Sequence, residues 1–151
     1  MTKFAYIALL AAPLAAAPAF AQDAPTAAQE DLSQFSPAHQ FATGMFMLSK
    51  VFVEIISAPE TEQNPDAAAE KIDELTEVAN KLYDMAPQVD KAELQQIQSV
   101  LLVSPEYNDI QVRGAAAGTR MKSTDFYGSE KLKNSVQAFF FAVFRLAAAN
   151  N

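Results

Sequence analysis

The chain has 151 residues, with 11 Lys and Arg against 18 Asp and Glu, a formal net charge of −7 and no cysteine. The lack of cysteine excludes disulfides, thiol catalysis, cysteine-ligated zinc and haem attached through a Cys-x-x-Cys-His motif. Because the charge is negative and the basic residues do not cluster, phosphate backbones are repelled, which excludes a nucleic-acid partner. A chain of this length predicts one domain with a real hydrophobic core.

The first 21 residues have the pattern of a cleaved signal peptide. A short basic start at Lys3 precedes an apolar run, and Ala19 and Ala21 occupy the small-residue positions that signal peptidase requires. The sequence therefore predicts cleavage after Ala21 and export to the periplasm or out of the cell. Pro13 and Pro18 interrupt the run, which makes retention as a membrane anchor the weaker interpretation.

The rest of the chain is predicted to be a flexible lead at 22–35 and a helical domain at 36–151. The lead is polar and rich in alanine and has no sustained periodicity. Helical periodicity follows it, and the intervals between periodic stretches are marked by Pro37, Pro59, Pro65, Pro87 and Pro105. The chain has four glycines and no strand-like alternation, so the pattern predicts an all-α fold, a small bundle of four to five helices.

Each predicted helix has a capping residue before its first turn. The caps are Ser36, Asn64, Asp90, Ser104 and Ser129. The first helix, which ends near Ser57, has a broad apolar face and is expected to be mostly buried. The second helix has many acidic residues on its outer side, which are typical of a solvated surface, so we expect this helix to face solvent.

The sequence GAAAG in the fourth helix predicts close helix packing at Gly114, Ala117 and Gly118. In a membrane helix this spacing indicates a dimer face, but Arg113 and Arg120 flank it here. A smooth strip of small side chains lets a neighbouring backbone come near. We expect the phenylalanines of the last helix to supply the bulk on the opposite side.

The last helix is apolar on almost every side. Its run from Ser135 to Ala149 spans about 22 Å, which is shorter than the hydrocarbon core of a bilayer, and it contains Arg145, so no transmembrane span is predicted in the mature chain. Two adjacent apolar stripes predict a central helix buried between its neighbours. One stripe is Val136, Phe140, Phe144 and Ala147, and the other is Phe139, Ala142, Val143 and Leu146.

Two apolar residues lie on otherwise polar sides of their helices. Phe141 shares the spacing of Gln137 and Arg145, and Met47 lies on the polar stripe of the first helix. Either the chain itself covers Phe141, for example with its Asp-Phe-Tyr turn, or a partner does. The sequence thus predicts a partner-binding site at Phe141, Met47 and Arg145, provided that the fold brings them together.

No pattern in the sequence predicts catalysis, a metal or a cofactor. His39 is the single histidine, and helical spacing separates it from Met47 by more than two turns, so a copper site with the nearby methionines is disfavoured. No serine lies in a nucleophile-elbow setting, and no glycine-rich phosphate loop is present. A pair among the 18 acids could still meet in a groove, which keeps a carboxylate enzyme as the third hypothesis.

The composition and pattern favour an exported, non-catalytic helical protein. We expect it to bind a protein partner, a second copy of itself or an unfolded client through an apolar surface. The alternative is a carrier that holds a small apolar ligand in a cavity between the first and last helices.

Overall fold

The structure is a computed structural model that describes residues 35–149. The predicted signal peptide at 1–21, and all but the last residue of the predicted lead at 22–35, lie outside the described residues. Between residues 35 and 149 all the regular secondary structure is helical, which confirms the all-α prediction. The six α-helices of this part of the chain are α1 Pro37–Ser57, α2 Pro59–Gln63, α3 Pro65–Met85, α4 Lys91–Leu101, α5 Pro105–Ser123 and α6 Glu130–Ala149. Five of them were predicted, and the additional one is the short α2.

The five long helices begin where their capping residues predict. In each case the side-chain oxygen of the cap accepts a hydrogen bond from the backbone N–H three residues later, at distances between 2.8 and 3.2 Å. The confirmed caps are Ser36, Asn64, Asp90, Ser104 and Ser129. These bonds satisfy donors that have no partner within the helix, so the sequence fixes the helix starts locally.

Helices α3 and α6 run parallel and form the most extensive helix pair in the described chain. At their amino-terminal ends the Ser129 hydroxyl donates to Asp66 Oδ1 at 2.5 Å. Toward their carboxyl ends the Arg145 guanidinium lies 4.2 Å from the centroid of the Tyr83 ring. The outer side of α3 is acidic and exposed, as predicted, and its inner side is buried, mainly against α6.

Helix α1 is the core of the bundle and packs against α3, α4 and α5. Its fully buried large side chains are Phe41, Leu48 and Ile56. It also reaches α6 through Phe52, whose ring stacks on Phe139 with centroids 4.5 Å apart. The prediction that the first helix is mostly buried holds only in part, because nine of its 21 residues are buried and most of the others are partly exposed.

A left-handed turn connects α5 to α6. Asp125, Phe126 and Tyr127 have φ angles of 46°, 56° and 56°, and Gly128 follows with 74°. For non-glycine residues this conformation costs about 1–2 kcal/mol each. Phe126 and Tyr127 are partly buried against the core, and their packing offsets that cost. The sequence predicts that the helix breaks at Gly128. In the structure the left-handed turn begins three residues earlier, at Asp125.

Helix α1 also has the length and composition of a membrane-crossing segment. It has 21 residues and a mean hydropathy of 1.2, and it is the only such helix among the described residues. The core helix of a soluble bundle has the same two properties. In this structure the apolar side of α1 is covered by neighbouring helices of the same chain.

Candidate interaction surface on the last helix

Only one side of α6 is buried. Of the two predicted stripes, the one containing Phe139, Ala142 and Leu146 lies in the core. The other stripe is buried at Val136 alone, and its remaining members, Phe140, Phe144 and Ala147, are exposed. The prediction of a central helix is therefore wrong. Helix α6 lies at the edge of the bundle, where α3 and α1 cover its inner side and leave its outer side uncovered.

The outer side of α6 carries three exposed aromatic rings, Phe140, Phe141 and Phe144, which we call the aromatic face. Their exposed fractions are 50 %, 69 % and 76 %. At 100° per residue, the three positions fall within about 100° of the helix circumference. Adjacent exposed phenylalanines on one helical turn form a continuous apolar surface, which in soluble proteins marks a contact site.

Contacts at both edges hold the aromatic face in place. On the α1 side, Phe140 packs edge-on against Phe52, with ring centroids 5.4 Å apart. On the α3 side, Arg145 lies over the Tyr83 ring. Phe141 and Phe144 lie between these two anchors and point outward. Because the helix is fixed on both sides, a partner would meet rings that are already ordered, which lowers the entropy cost of binding.

The aromatic face also lies in a stretch of this acidic chain that has no acidic residue. No Asp or Glu occurs after Glu130, and Lys133 bonds to Glu130 at 3.2 Å, which partly neutralises it. The cores of protein interfaces are depleted in charge and enriched in aromatic residues and arginine. The aromatic face with Arg145 at its edge has this composition.

Two of the three residues of the predicted partner-binding site lie on the exposed surface of α6. Phe141 is exposed, and Arg145 lies at the edge of the same surface. Met47 is half-buried on α1 and is not one of the large exposed apolar side chains. The exposed apolar surface is therefore built within α6 rather than between α6 and the polar stripe of α1.

The predicted close packing in GAAAG occurs at one of its two glycines. A Cβ atom at Gly114 would lie 2.9 Å from Val53 Cγ2, and Ala117 is buried. A Cβ at Gly118 would meet nothing within 4 Å. The side chain opposite Gly114 belongs to α1 and not, as expected, to the phenylalanines of the last helix, because α5 packs mainly on α1.

Phe140 and Phe144 are the members of the surface that sequence reasoning missed. A signal was present: Lys133 and Gln137 precede them at the spacing of four, three and four residues that defines one side of a helix. Two polar residues at the start of this line indicate that it faces solvent. Grouping Phe140 and Phe144 with Val136 and Ala147 predicts an apolar stripe instead, and this grouping leaves the two polar residues out.

Other exposed apolar residues lie outside α6. Val100, Leu102 and Val103 are exposed at the end of α4 and the turn after it, and Val112 is exposed on α5. These side chains are aliphatic and carry less area than aromatic rings. Single exposed residues such as Val112 are common on soluble proteins.

The expected ligand cavity between the first and last helices is filled by the stacked rings of Phe52 and Phe139. A cleft of about 570 Å³ opens elsewhere, between the end of α1, α2 and the start of α3. Its lining mixes apolar side chains such as Val51 and Ile55 with Glu54, Glu60 and Lys71.

Within residues 35–149 no three His, Asp or Glu side chains are grouped so that they could hold a metal ion. His39 is exposed in the first turn of α1, and its ring stacks on Phe35 with centroids 4.7 Å apart. This contact accounts for the single histidine as a surface group at the start of the helix.

No family model, curated protein or solved structure matches this chain.

Proposed function

We propose that this chain is an exported, non-catalytic helical protein that binds a protein partner through the aromatic face of α6. The observation that carries the proposal is the exposure of Phe140, Phe141 and Phe144 side by side on a helix whose other side is firmly packed. Aromatic rings are the side chains most enriched at the energetic centres of protein interfaces. Export is proposed from the sequence pattern of residues 1–21.

Site-specific photo-crosslinking in the producing cell tests this proposal. A benzophenone-bearing phenylalanine analogue replaces Phe141 in one variant and Val112 in the matched control. Val112 is exposed to a similar degree, 62 %, but lies on α5. We expect protein adducts from position 141 to be several times more abundant than those from position 112. Equal labelling at the two positions, or no protein adduct at 141, would contradict the proposal.

A further inference from the structure

We infer that the partner of the aromatic face is a second copy of this chain, bound with its α6 antiparallel to the first about a two-fold axis near Phe141. This inference rests on the proposed function, since it names the occupant of the same surface. Closed two-fold dimers are the commonest assemblies of soluble proteins, and they require a surface that is complementary to itself.

The exposed area is of the size that a small dimer needs. The exposed fractions of the three rings add up to the area of about two whole phenylalanine side chains, or roughly 300–500 Å². A standard interface buries about 800 Å² on each partner, and weak complexes bury less. Gln137, Ala147 and Ala148 are also exposed and flank the rings. Together these residues supply a small interface, for which we expect a dissociation constant in the roughly micromolar range.

Electrostatics favour α6 as the place where two copies meet. Each chain carries a net charge of −7, so most contacts between two copies would bring acidic surfaces together. Helix α6 has no acidic residue after its first position, Glu130. Two α6 helices can therefore approach without juxtaposing carboxylates of their own.

The basic residues of α6 favour the antiparallel orientation. In a parallel pair, Lys133 of one chain would face Lys133 of the other, and the two Arg145 side chains would also face each other. Such contacts between like charges are unfavourable. In an antiparallel pair centred near Phe141, Lys133 instead approaches the carboxyl end of the opposite helix, where the helix dipole is negative. The three rings lie within four residues of the centre, so rings meet rings across the axis.

The absence of cysteine from this chain allows a direct test of the geometry. Single cysteines replace the exposed Asn134 and Ala148, which keeps all three rings, and Val112→Cys is the control. The purified Asn134→Cys and Ala148→Cys chains are mixed at micromolar concentration and oxidised. In an antiparallel pair centred on Phe141, residue 134 of one copy lies opposite residue 148 of the other, so the mixed disulfide should form several times faster than a disulfide between two identical chains. A disulfide forms only when the two Cα atoms come within about 7 Å. Faster formation of the disulfides between identical chains would indicate parallel helices and overturn the orientation.

Sedimentation equilibrium of the unmodified full chain measures the association itself. We expect a monomer–dimer equilibrium that Phe141→Ser weakens at least about tenfold and that Val112→Ser leaves unchanged. Circular dichroism confirms that both variants keep the helical content, since both positions are exposed.

Three results would overturn the inference, and they bear differently on the proposed function. A strict monomer whose position 141 crosslinks to a different protein in the cell would exclude self-association and keep the proposed function. A strict monomer with no protein adduct would exclude both. A monomer that floats with vesicles of phosphatidylglycerol and phosphatidylethanolamine, and loses that binding in Phe141→Ser, would assign the aromatic face to a membrane surface and exclude both.

Discussion

Phe52 of α1 and Phe139 of α6 stack face to face, with ring centroids 4.5 Å apart and ring planes 11° from parallel. Both rings are buried, while the ring next to Phe139 in sequence, Phe140, is half-exposed. The boundary between core and surface on α6 therefore runs between two consecutive phenylalanines. Substitutions on the two sides of this boundary should therefore differ in how much they lower the free energy of unfolding.

Replacing Phe139 with alanine should lower the free energy of unfolding by about 3–5 kcal/mol, because it leaves a cavity against Phe52. Phe144→Ala removes the same atoms from a ring that is 76 % exposed and should change stability by less than about 0.5 kcal/mol. Urea unfolding of the two variants at a concentration that keeps the chain monomeric measures both values. Similar losses in the two variants would show that α6 is not packed as described.

The Ser129 hydroxyl joins two helix starts. It accepts from the backbone N–H of Leu132 at 3.0 Å, which caps α6, and it donates to Asp66 Oδ1 on α3. Ser129→Ala should cost about 1–3 kcal/mol of unfolding free energy, since it removes both bonds at a buried position. The control is Ser123→Ala, because the Ser123 hydroxyl bonds to a carbonyl in its own helix at an exposed site.

A double-mutant cycle with Asp66→Ala, which removes the acceptor oxygen, separates the two bonds of Ser129. The coupling energy between positions 66 and 129 reports the bond between helices, and the remainder reports the cap. A coupling energy of zero would show that Asp66 does not contribute to the attachment of α6.

The two glycines of α5 should respond oppositely to alanine. Gly118→Ala should stabilise the chain by about 0.5–1 kcal/mol, because alanine has the higher helix propensity and the added methyl group meets open space. At Gly114 the methyl group would lie 2.9 Å from Val53 Cγ2, and a valine side chain has little freedom to rotate away.

Gly114→Ala should therefore be less stable than Gly118→Ala by about 1–2 kcal/mol in thermal or urea unfolding. Adding Val53→Ala to each variant provides the check. It should cost less stability in the Gly114→Ala background than in the Gly118→Ala background, since it relieves the contact only there. Equal costs would show that the two helices are farther apart than described.

Lys131 should titrate above its ordinary range. The hydrogen bond from Lys131 Nζ to Glu70 Oε1, at 2.9 Å, raises the pKa of the lysine above 10.5, and the charges of Glu70, Asp66 and Asp73 act in the same direction. Because the folded pKa exceeds the unfolded one, this contribution to stability is fully present below pH 10.5 and is lost as the pH rises through the folded pKa. NMR titration of the Lys131 side chain should show a lower pKa in Glu70→Gln. An unchanged pKa would show that the pair does not form in solution.

The helix starts could be predicted because they depend on neighbours in the sequence. A capping side chain bonds to the N–H three residues later. Asn64 and Asp90 therefore predict where their helices start without information from the rest of the fold. Short α2 was missed because it is a single turn with little apolar periodicity of its own. Helix α2 is held to the end of α1 by Thr61, whose hydroxyl donates a hydrogen bond to the carbonyl of Ile55.

The exposed side of α6 could not be predicted by the same means. From Phe139 onward the two stripes are similarly apolar, and only Lys133 and Gln137, which precede Phe140 on its own line, indicate which stripe faces solvent. The direction in which α6 leaves the turn at Asp125–Gly128 is not indicated at all. Left-handed non-glycine residues are rare, and nothing in the local sequence indicates three of them in succession. The turn is thus the part of this arrangement that the sequence pattern does not predict.

The parallel pairing of α3 with α6 has a consequence for the order of assembly. The two helices are separated by α4 and α5, so the part of the apolar side of α3 that α6 covers stays uncovered until α6 has been synthesised, whereas α1 can cover the rest earlier. Until then this part of α3 is open to chaperones. Formation of the α3–α6 pair should accordingly follow the synthesis of α4 and α5.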